Sequence, residues 1–264
     1  MMLRPSVALK AFRIAVPAIA LKALVIVLGL EFMPLNPLIG SVIAGAIFVM
    51  GFVLGGLIAD YKEAERMPSE IRAALDRIWT ETKLFHLSKR DFDIEHVRRQ
   101  LLAILRSFLV GVEKTRGYGD LRSCIESIDN LSSLVAEMEK QGAPPFLLGR
   151  VKDGRENLLR NVLRIYYIQR TVYLPSARFL AEVLMIGAVG LLLFVQISGV
   201  IESLVQFGII TYFIVYLRYL SYALDTPFRQ GERTQDDVSL FLLKDYEQKL
   251  ATDHVVEPLA TAQT

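Results

Sequence analysis

The sequence predicts an all-α, polytopic membrane protein with four transmembrane helices in two hairpins and a helical cytoplasmic region. Residues 23–61 and 179–217 contain no lysine or arginine, and each stretch is about 39 residues long. A transmembrane helix needs about 20 apolar residues, so each stretch has room for close to two. The segments that flank and separate these stretches are rich in lysine and arginine. The overall apolar content of 53% averages these two unlike parts and therefore resembles that of a soluble protein.

A turn near the middle of each stretch divides it into two spans. Pro34, Asn36 and Pro37 mark the first turn, and Ser198 with Gly199 marks the second. The predicted spans are residues 14–32, 38–59, 179–197 and 203–220. The alternative is a soluble protein with very apolar core helices. It is disfavoured because residues 42–58 carry no charge on any face of the helix.

The positions of the basic residues predict the orientation in the bilayer. Arg4, Lys10 and Arg13 lie before the first span, whereas the two short turns have no lysine or arginine. The positive-inside rule then places the N-terminus, the long connection and the tail in the cytoplasm. The predicted parts are a first hairpin at 1–60, a cytoplasmic region at 61–177, a second hairpin at 178–222 and a tail at 223–264.

Apolar residues at helical spacing predict that the cytoplasmic region is also helical. The second span continues beyond residue 60, and further helices begin near Asp91, Asp120 and Arg150. A break is predicted at residues 142–145, which read Gly-Ala-Pro-Pro. No strand-like alternation is long enough to predict a sheet.

The composition argues against several functions. No nucleophile elbow, phosphate-binding loop, HExxH or CxxC motif occurs, so no enzyme is predicted. The single cysteine, Cys124, and three histidines argue against a dense metal site, and no cofactor is expected. A net charge of +2 gives no indication of nucleic-acid binding.

Four charged residues lie within or beside the predicted spans. Lys22 either faces protein or water inside the membrane, or extends to the cytoplasmic interface if the first span begins later. Glu182, one turn into the third span, is predicted to pair with a basic residue. Glu31 and Glu202 lie at the turns, so we expect them to be solvated at the outer mouth.

The second span has two distinct faces. One carries small residues suited to close helix contact, namely Gly40, Ala44, Gly51 and Gly55. The other is apolar and includes Ile43, Ile47, Met50 and Leu54. In a single bundle this apolar face would be packed or exposed to lipid. In a ring of subunits it could form a hydrophobic constriction that gates by dewetting.

Two segments carry a resemblance to a known family. Residues 51–63 read GFVLGGLIADYKE, and residues 216–228 read YLRYLSYALDTPF, with Gln235, Asp236 and Asp237 following. Together with the order hairpin, helical region, hairpin and tail, they resemble the bestrophin-like membrane proteins, especially the prokaryotic branch. The most specific element is Asp225-Thr-Pro227-Phe228.

The resemblance implies a homopentameric ion channel in a bacterial inner membrane, with a hydrophobic neck on the second helices. Carried over to this chain, the neck falls among Ile43, Ile47, Met50 and Leu54. The family's aromatic neck pattern fits less well, because Phe48 and Phe52 lie on a different face of the helix from Ile47 and Leu54. The sequence therefore does not determine which face lines the pore.

In animal members an acidic cluster after the Pro-Phe pair binds calcium. Here the acidic residues are interleaved with Arg229 and Arg233, and a calcium site needs six to eight oxygen ligands. The acidic residues are Asp225, Glu232, Asp236 and Asp237. Calcium is thus possible, but a structural role in docking the tail is favoured.

The sequence therefore predicts passive ion conduction through a homo-oligomer, with itself, the lipid bilayer and inorganic ions as partners. The alternative is a non-conducting membrane protein that interacts or senses through its cytoplasmic helices. A secondary transporter is a less favoured hypothesis, because four spans are few for a transporter and the sequence shows no pair of broken helices. Selectivity stays open: the basic cytoplasmic region favours anions such as chloride, whereas Glu31 and Glu202 favour cations.

Overall fold

The computed structural model describes residues 7–113, 120–171, 175–197, 199–228 and 237–253, and it confirms an all-α architecture. Two short strands, β1 (Met33–Pro34) and β2 (Val195–Gln196), accompany the helices. The helices are α1 (Val7–Val27), α2 (Pro37–Ser88), α3 (Ile94–Glu113), α4 (Arg122–Asp129), α5 (Leu131–Lys140), α6 (Pro145–Arg170), α7 (Pro175–Phe194), α8 (Val200–Leu224) and α9 (Phe241–Thr252).

The chain divides into two compact units. The first, here called the membrane unit, contains α1, the part of α2 before residue 64, α7 and α8. The second, here called the helical unit, contains the rest of α2, α3 to α6, and α9. The predicted domain boundaries at residues 60 and 178 stay predictions.

Three helical stretches are long and apolar enough to cross a membrane in the part of the chain that the structure describes. They are α2 (Pro37–Ser88), α8 (Val200–Leu224) and a window within Pro145–Phe194, the range that contains α6 and α7. Helix α1 is not among them, since its 21 residues include Lys10, Arg13 and Lys22. The apolar helices support a membrane protein, and the predicted count of four spans stays a prediction.

Helix α1 begins and ends earlier than the predicted first span at residues 14–32. Its end is set by Gly29, which adopts a left-handed φ of 65°. The N–H of Gly29 donates to the carbonyl of Ile26, and the N–H of Leu30 donates to the carbonyl of Val25. This is the Schellman arrangement, which glycine permits without steric cost and which ends a helix. The prediction placed the turn at the prolines and missed the earlier stop.

The two loops of the membrane unit pair with each other. Met33 of β1 lies beside Val195 of β2 in a short parallel ladder. The sequence predicted turns at both places and no strand, because a two-residue strand leaves no periodic pattern. The pairing holds the end of α7 next to the chain that leaves α1.

The apolar periodicity of the helical unit is confirmed in its buried positions, such as Leu101 and Leu105 of α3. The single helix predicted from Asp120 is instead α4 and α5, which meet at Asn130. The hydroxyl of Ser133 donates to the Asn130 carbonyl at 2.6 Å, and this bond competes with regular helix geometry. The predicted break after α5 is present at Gly142, whose φ is 85°.

Gly154 of α6 lies where no side chain fits. A Cβ atom there would lie 2.8 Å from Cγ1 of Ile78, inside van der Waals contact. We expect Gly154→Ala to lower the free energy of unfolding by about 1–3 kcal/mol through overpacking. Gly149→Ala on the same helix is the matched control, because nothing lies within 4 Å of its added Cβ. The control should gain about 0.5–1 kcal/mol from helix propensity, and thermal unfolding of both variants tests the contrast.

The last described helix, α9, is fixed to the helical unit by the residue that follows it. Oδ2 of Asp253 accepts a hydrogen bond from Nε1 of Trp79 at 2.8 Å and one from Nζ of Lys83 at 3.0 Å. Burial opposes ionisation of Asp253, but these two bonds and the nearby charges of Lys83 and Lys249 outweigh it. The pKa of Asp253 is therefore lowered from its ordinary value.

A lowered pKa in the folded state means that ionised Asp253 stabilises the fold at neutral pH. That contribution is lost as the pH falls below about 4, through the folded-state pKa. Asp253→Asn should cost about 1–2 kcal/mol at pH 7 and show a shrinking difference from wild type at acid pH. Asp245→Asn, an exposed change on the same helix, is the control. A difference from wild type that does not shrink at acid pH would contradict this role when melting temperature is measured against pH.

Candidate functional site

The part of α2 in the membrane unit has a covered side and an uncovered side. The covered side packs against α7 and α8, and its core neighbours include Met185, Ala188, Phe207 and Ile214. The residues of α2 on this side are Ile39, Ile43, Ala46, Met50, Val53, Leu54 and Leu57. The buried apolar side of α2 therefore faces other helices of the same chain.

Three of the four predicted neck residues lie on the covered side. Ile43 is 9% exposed, Met50 is 4% exposed and Leu54 is 6% exposed, while Ile47 packs partly buried against the same core. Side chains that their own chain covers do not line a surface between chains. This burial argues against the predicted position of the neck. The sequence showed a continuous apolar face but not that α7 and α8 would cover it.

The uncovered side of α2 carries two large aromatic side chains. Phe48 is 76% exposed and Phe52 is 69% exposed, one helical turn apart. Around them are small residues, and a Cβ added at Gly45, Gly51 or Gly55 would meet nothing within 4 Å. Among the described residues, the glycines of the predicted small-residue face, Gly40, Gly51 and Gly55, thus make no close side-chain contact. Sequence reasoning had separated Phe48 and Phe52 from the neck, although their spacing of four already placed them together.

Lys22 lies wholly inside the membrane unit, with 0% exposure. Its Nζ donates to Oε1 of Glu31 at 2.6 Å, to the carbonyl of Leu193 at 3.0 Å and to that of Val195 at 2.7 Å. The last carbonyls of α7 lack helical partners, so the ammonium group satisfies them and complements the helix dipole. Of the two alternatives for Lys22, the structure shows the residue facing protein.

The two predicted mouth carboxylates have different surroundings. Glu31 is 14% exposed, bound to Lys22, and accepts a further hydrogen bond from Oγ of Ser203 at 3.2 Å. It is therefore not freely solvated as predicted, because the buried ammonium group recruits it as a counter-ion. Glu202 is exposed in the first turn of α8, where the helix dipole favours a carboxylate.

A second charged cluster lies where α7 begins and α8 ends. Nη1 of Arg178 donates to Oδ2 of Asp225 at 2.6 Å, and Nε of Arg178 lies 4.0 Å from Oε1 of Glu182. The hydroxyl of Tyr222 donates to Glu182. The guanidinium of Arg178 lies 4.2 Å from the centre of the Tyr222 ring, and that of Arg218 lies 5.6 Å from it.

Glu182 therefore lies beside a basic residue, as the sequence predicts, and the spacing of four from Arg178 is the signal for it. Sequence reasoning missed Arg218 and Tyr222, which also share a spacing of four.

No protein-family model matches this sequence, and no curated protein matches it. Solved structures do. Two single-residue variants of a bacterial bestrophin homologue from Klebsiella pneumoniae each align with a TM-score of 0.72 at 14% identity, over 92% of this chain and 96% of theirs. A further structure, described as a membrane protein, aligns with a TM-score of 0.75 at 13% identity over 92% of this chain and 96% of its own.

The chain has the bestrophin fold. The alignment over nearly the whole of both chains decides this, and it confirms at the level of fold the resemblance drawn from residues 51–63 and 216–228. The first of these segments lies within α2 of the bestrophin fold, and the second ends just beyond α8.

The tail that follows α8 in this bestrophin fold does not fit a calcium ion where it is described. The carboxylate of Asp225 is bound to Arg178, and Pro227, Phe228 and Asp237 are buried. Asp236 lies outside the described residues. Within the described ranges no three His, Cys, Asp or Glu side chains come together as a possible metal site. The contact of Asp225 with Arg178 is the kind of structural role that the sequence favoured.

Proposed function

We propose that this chain is the subunit of a homo-oligomeric ion channel, with a passive path for ions along the axis of the oligomer. In this proposal α1, the first part of α2, α7 and α8 are four membrane spans. The N-terminus, the helical unit and the tail face the cytoplasm, and a bacterial inner membrane is the location. The bestrophin fold supports the proposal, and five copies are the expected number.

The observation that carries the proposal is the uncovered side of α2. A helix that faces only lipid needs no particular mixture of sizes, whereas small residues allow backbones to approach closely. Here glycines surround Phe48 and Phe52, and together they form a large apolar surface that no described part of the chain covers. In an oligomer, copies of α2 from neighbouring subunits would surround a central axis. The glycines would let these helices pack closely, and the phenylalanines would face the ion path.

The same side of α2 supplies a candidate neck in place of the one predicted at Ile43, Ile47, Met50 and Leu54. A ring of Phe48 and Phe52 side chains from several copies would narrow the path with apolar groups. Such a constriction blocks ions when water leaves it and conducts when water enters. The path needs no dehydrated-ion filter, so weak discrimination by ion size is expected.

The charge at the outer end of the path would come mainly from Glu202. Glu31 is held by Lys22 and Ser203, so its carboxylate contributes little free charge there. We therefore expect any cation preference at the mouth to depend on Glu202 rather than on both carboxylates.

Flux from purified protein in liposomes tests the proposal. Vesicles loaded with potassium chloride should release ions when the protein is present, and vesicles without protein should not. Replacing chloride or potassium by an impermeant ion identifies the permeant species. Absence of flux under every ionic condition would favour the non-conducting interaction protein. A monomeric mass in detergent would remove the central path and contradict the proposal.

A further inference from the structure

A narrow cleft in the membrane unit has one wall of apolar side chains and one of charged side chains. The apolar wall includes Met50, Val53 and Leu57 of α2 with Met185 of α7. The cleft has a cavity volume of about 30 Å³. A single oxygen or a water molecule fits there, but a whole metabolite does not. A ligand of this cleft would insert one polar group and leave its remainder outside.

Two arginines and two carboxylates line the charged wall. Arg178 forms an ion pair with Asp225, and Glu182 accepts a hydrogen bond from Tyr222. Both carboxylates thus already have donors within the chain.

Arg218 differs from the other charged residues of the cleft. Within the described part of the chain, its Nε is buried without a hydrogen-bond partner, and its guanidinium lies over the Tyr222 ring. A buried donor of a charged group that lacks an acceptor is costly, so an acceptor from outside the chain is expected at this atom.

The chemistry of a guanidinium selects the acceptor. Arginine presents a planar set of donors that matches the oxygens of a phosphate group. Two sources of phosphate exist, a free ion and a lipid headgroup. Arg218 lies at the end of α8 that the charge pattern predicts to be cytoplasmic, where lipid headgroups begin.

We propose that the cleft between α2, α7 and α8 binds the phosphate group of a membrane phospholipid through Arg218. The phosphate places one oxygen at the Arg218 guanidinium, and the glycerol and acyl chains remain outside the cleft. This site is separate from the ion path proposed above, so lipid binding is measured without any flux.

Native mass spectrometry of the delipidated full-length protein in detergent tests the proposal. Phosphatidylglycerol and phosphatidylethanolamine should both bind at about one copy per chain and raise the melting temperature. Diacylglycerol, which lacks the phosphate, should do neither. This comparison uses the wild-type chain, so it does not depend on the folding of a variant. Equal binding of diacylglycerol would overturn the proposal, and so would a failure of both phospholipids to bind.

Variants locate the site. Arg218→Gln should weaken phospholipid binding at least about fivefold, and Arg218→Lys should fall between it and wild type because it keeps the charge but not the planar fork. Arg66→Gln is the matched control, since it removes the same charge from a side chain that is 78% exposed in the helical unit. Unchanged binding by Arg218→Gln would overturn the proposal. Inorganic phosphate that reproduces the full rise in melting temperature would assign the cleft to a free ion and overturn the lipid assignment.

Discussion

Replacing Phe52 by alanine should raise ion flux through the reconstituted protein by about tenfold, which corresponds to a barrier lower by about 1.4 kcal/mol. The reason is that an apolar constriction resists wetting, and removing a phenyl ring from each copy makes it wider and less apolar. Phe52 is 69% exposed on a helix side that its own chain leaves uncovered. Phe48→Ala, one turn away, should act in the same direction. Flux from liposomes at equal protein density measures both changes.

Met50→Ala is the matched control for the neck. Met50 is 4% exposed and packs in the core between α2, α7 and α8. Its truncation should lower the free energy of unfolding by about 2–5 kcal/mol through cavity formation, without raising flux. The neck predicted from the sequence requires the opposite pattern, with a rise for Met50→Ala and none for Phe52→Ala. That result would contradict a neck at Phe48 and Phe52 and support a pore lined by the covered side of α2.

Lys22→Met should lower the free energy of unfolding by about 3–5 kcal/mol. The change removes the ammonium partner of the Glu31 carboxylate, which keeps the Ser203 hydroxyl. It also removes the donor that binds the carbonyls of Leu192 and Leu193 near the end of α7. Unpaired buried charge is expensive in a low-dielectric interior, so the loss exceeds that of an ordinary surface ion pair. Thermal unfolding in detergent, read by circular dichroism, measures it.

The double variant Lys22→Met with Glu31→Gln separates two contributions to the lost stability. One is the unpaired charge of Glu31, and the other is the missing donor at the end of α7. The neutral amide that replaces the Glu31 carboxylate no longer needs a counter-ion, so part of the lost stability should return. Glu202→Gln is the control, because that carboxylate is exposed at the start of α8 and should change the melting temperature little. A single Lys22→Met variant as stable as wild type would contradict the role assigned to the buried ammonium group.

Much of the fold was predictable because its signals are local. Each run of about 39 residues is predominantly apolar and lacks lysine and arginine, which predicts membrane helices, and the prolines and glycines within the runs predict the turns. The buried stripe of α3 also follows from spacing alone. The errors occurred where a local signal was ambiguous. Gly29 ends α1 before the prolines do, and the bond from Ser133 to Asn130 accompanies the division of one predicted helix into two.

The candidate site was predicted less well than the fold. The segment 51–63 was found by resemblance. The neck was predicted on the face of α2 that carries Ile47, whereas the uncovered face carries Phe48 and Phe52. Lys22 was noticed as an anomaly, while Glu31 was separated from it. Both predictions lacked the same information, since a pattern along the chain does not show which distant segment lies opposite. Residues 170 positions apart meet at the Lys22 ammonium group and the carbonyl of Leu192.

By itself the sequence determined an all-α protein with long apolar helices that support a membrane protein, a charged helical region between two stretches without lysine or arginine, and no recognised catalytic motif. These properties depend on composition and periodicity, which can be read from residues that are close together in the sequence. Only the tertiary structure decided which side of α2 is covered, what neutralises Lys22, and that Arg218 keeps a buried donor without an acceptor. Burial and pairing depend on helices that are distant in sequence, and a side chain's exposure is fixed only when those helices pack.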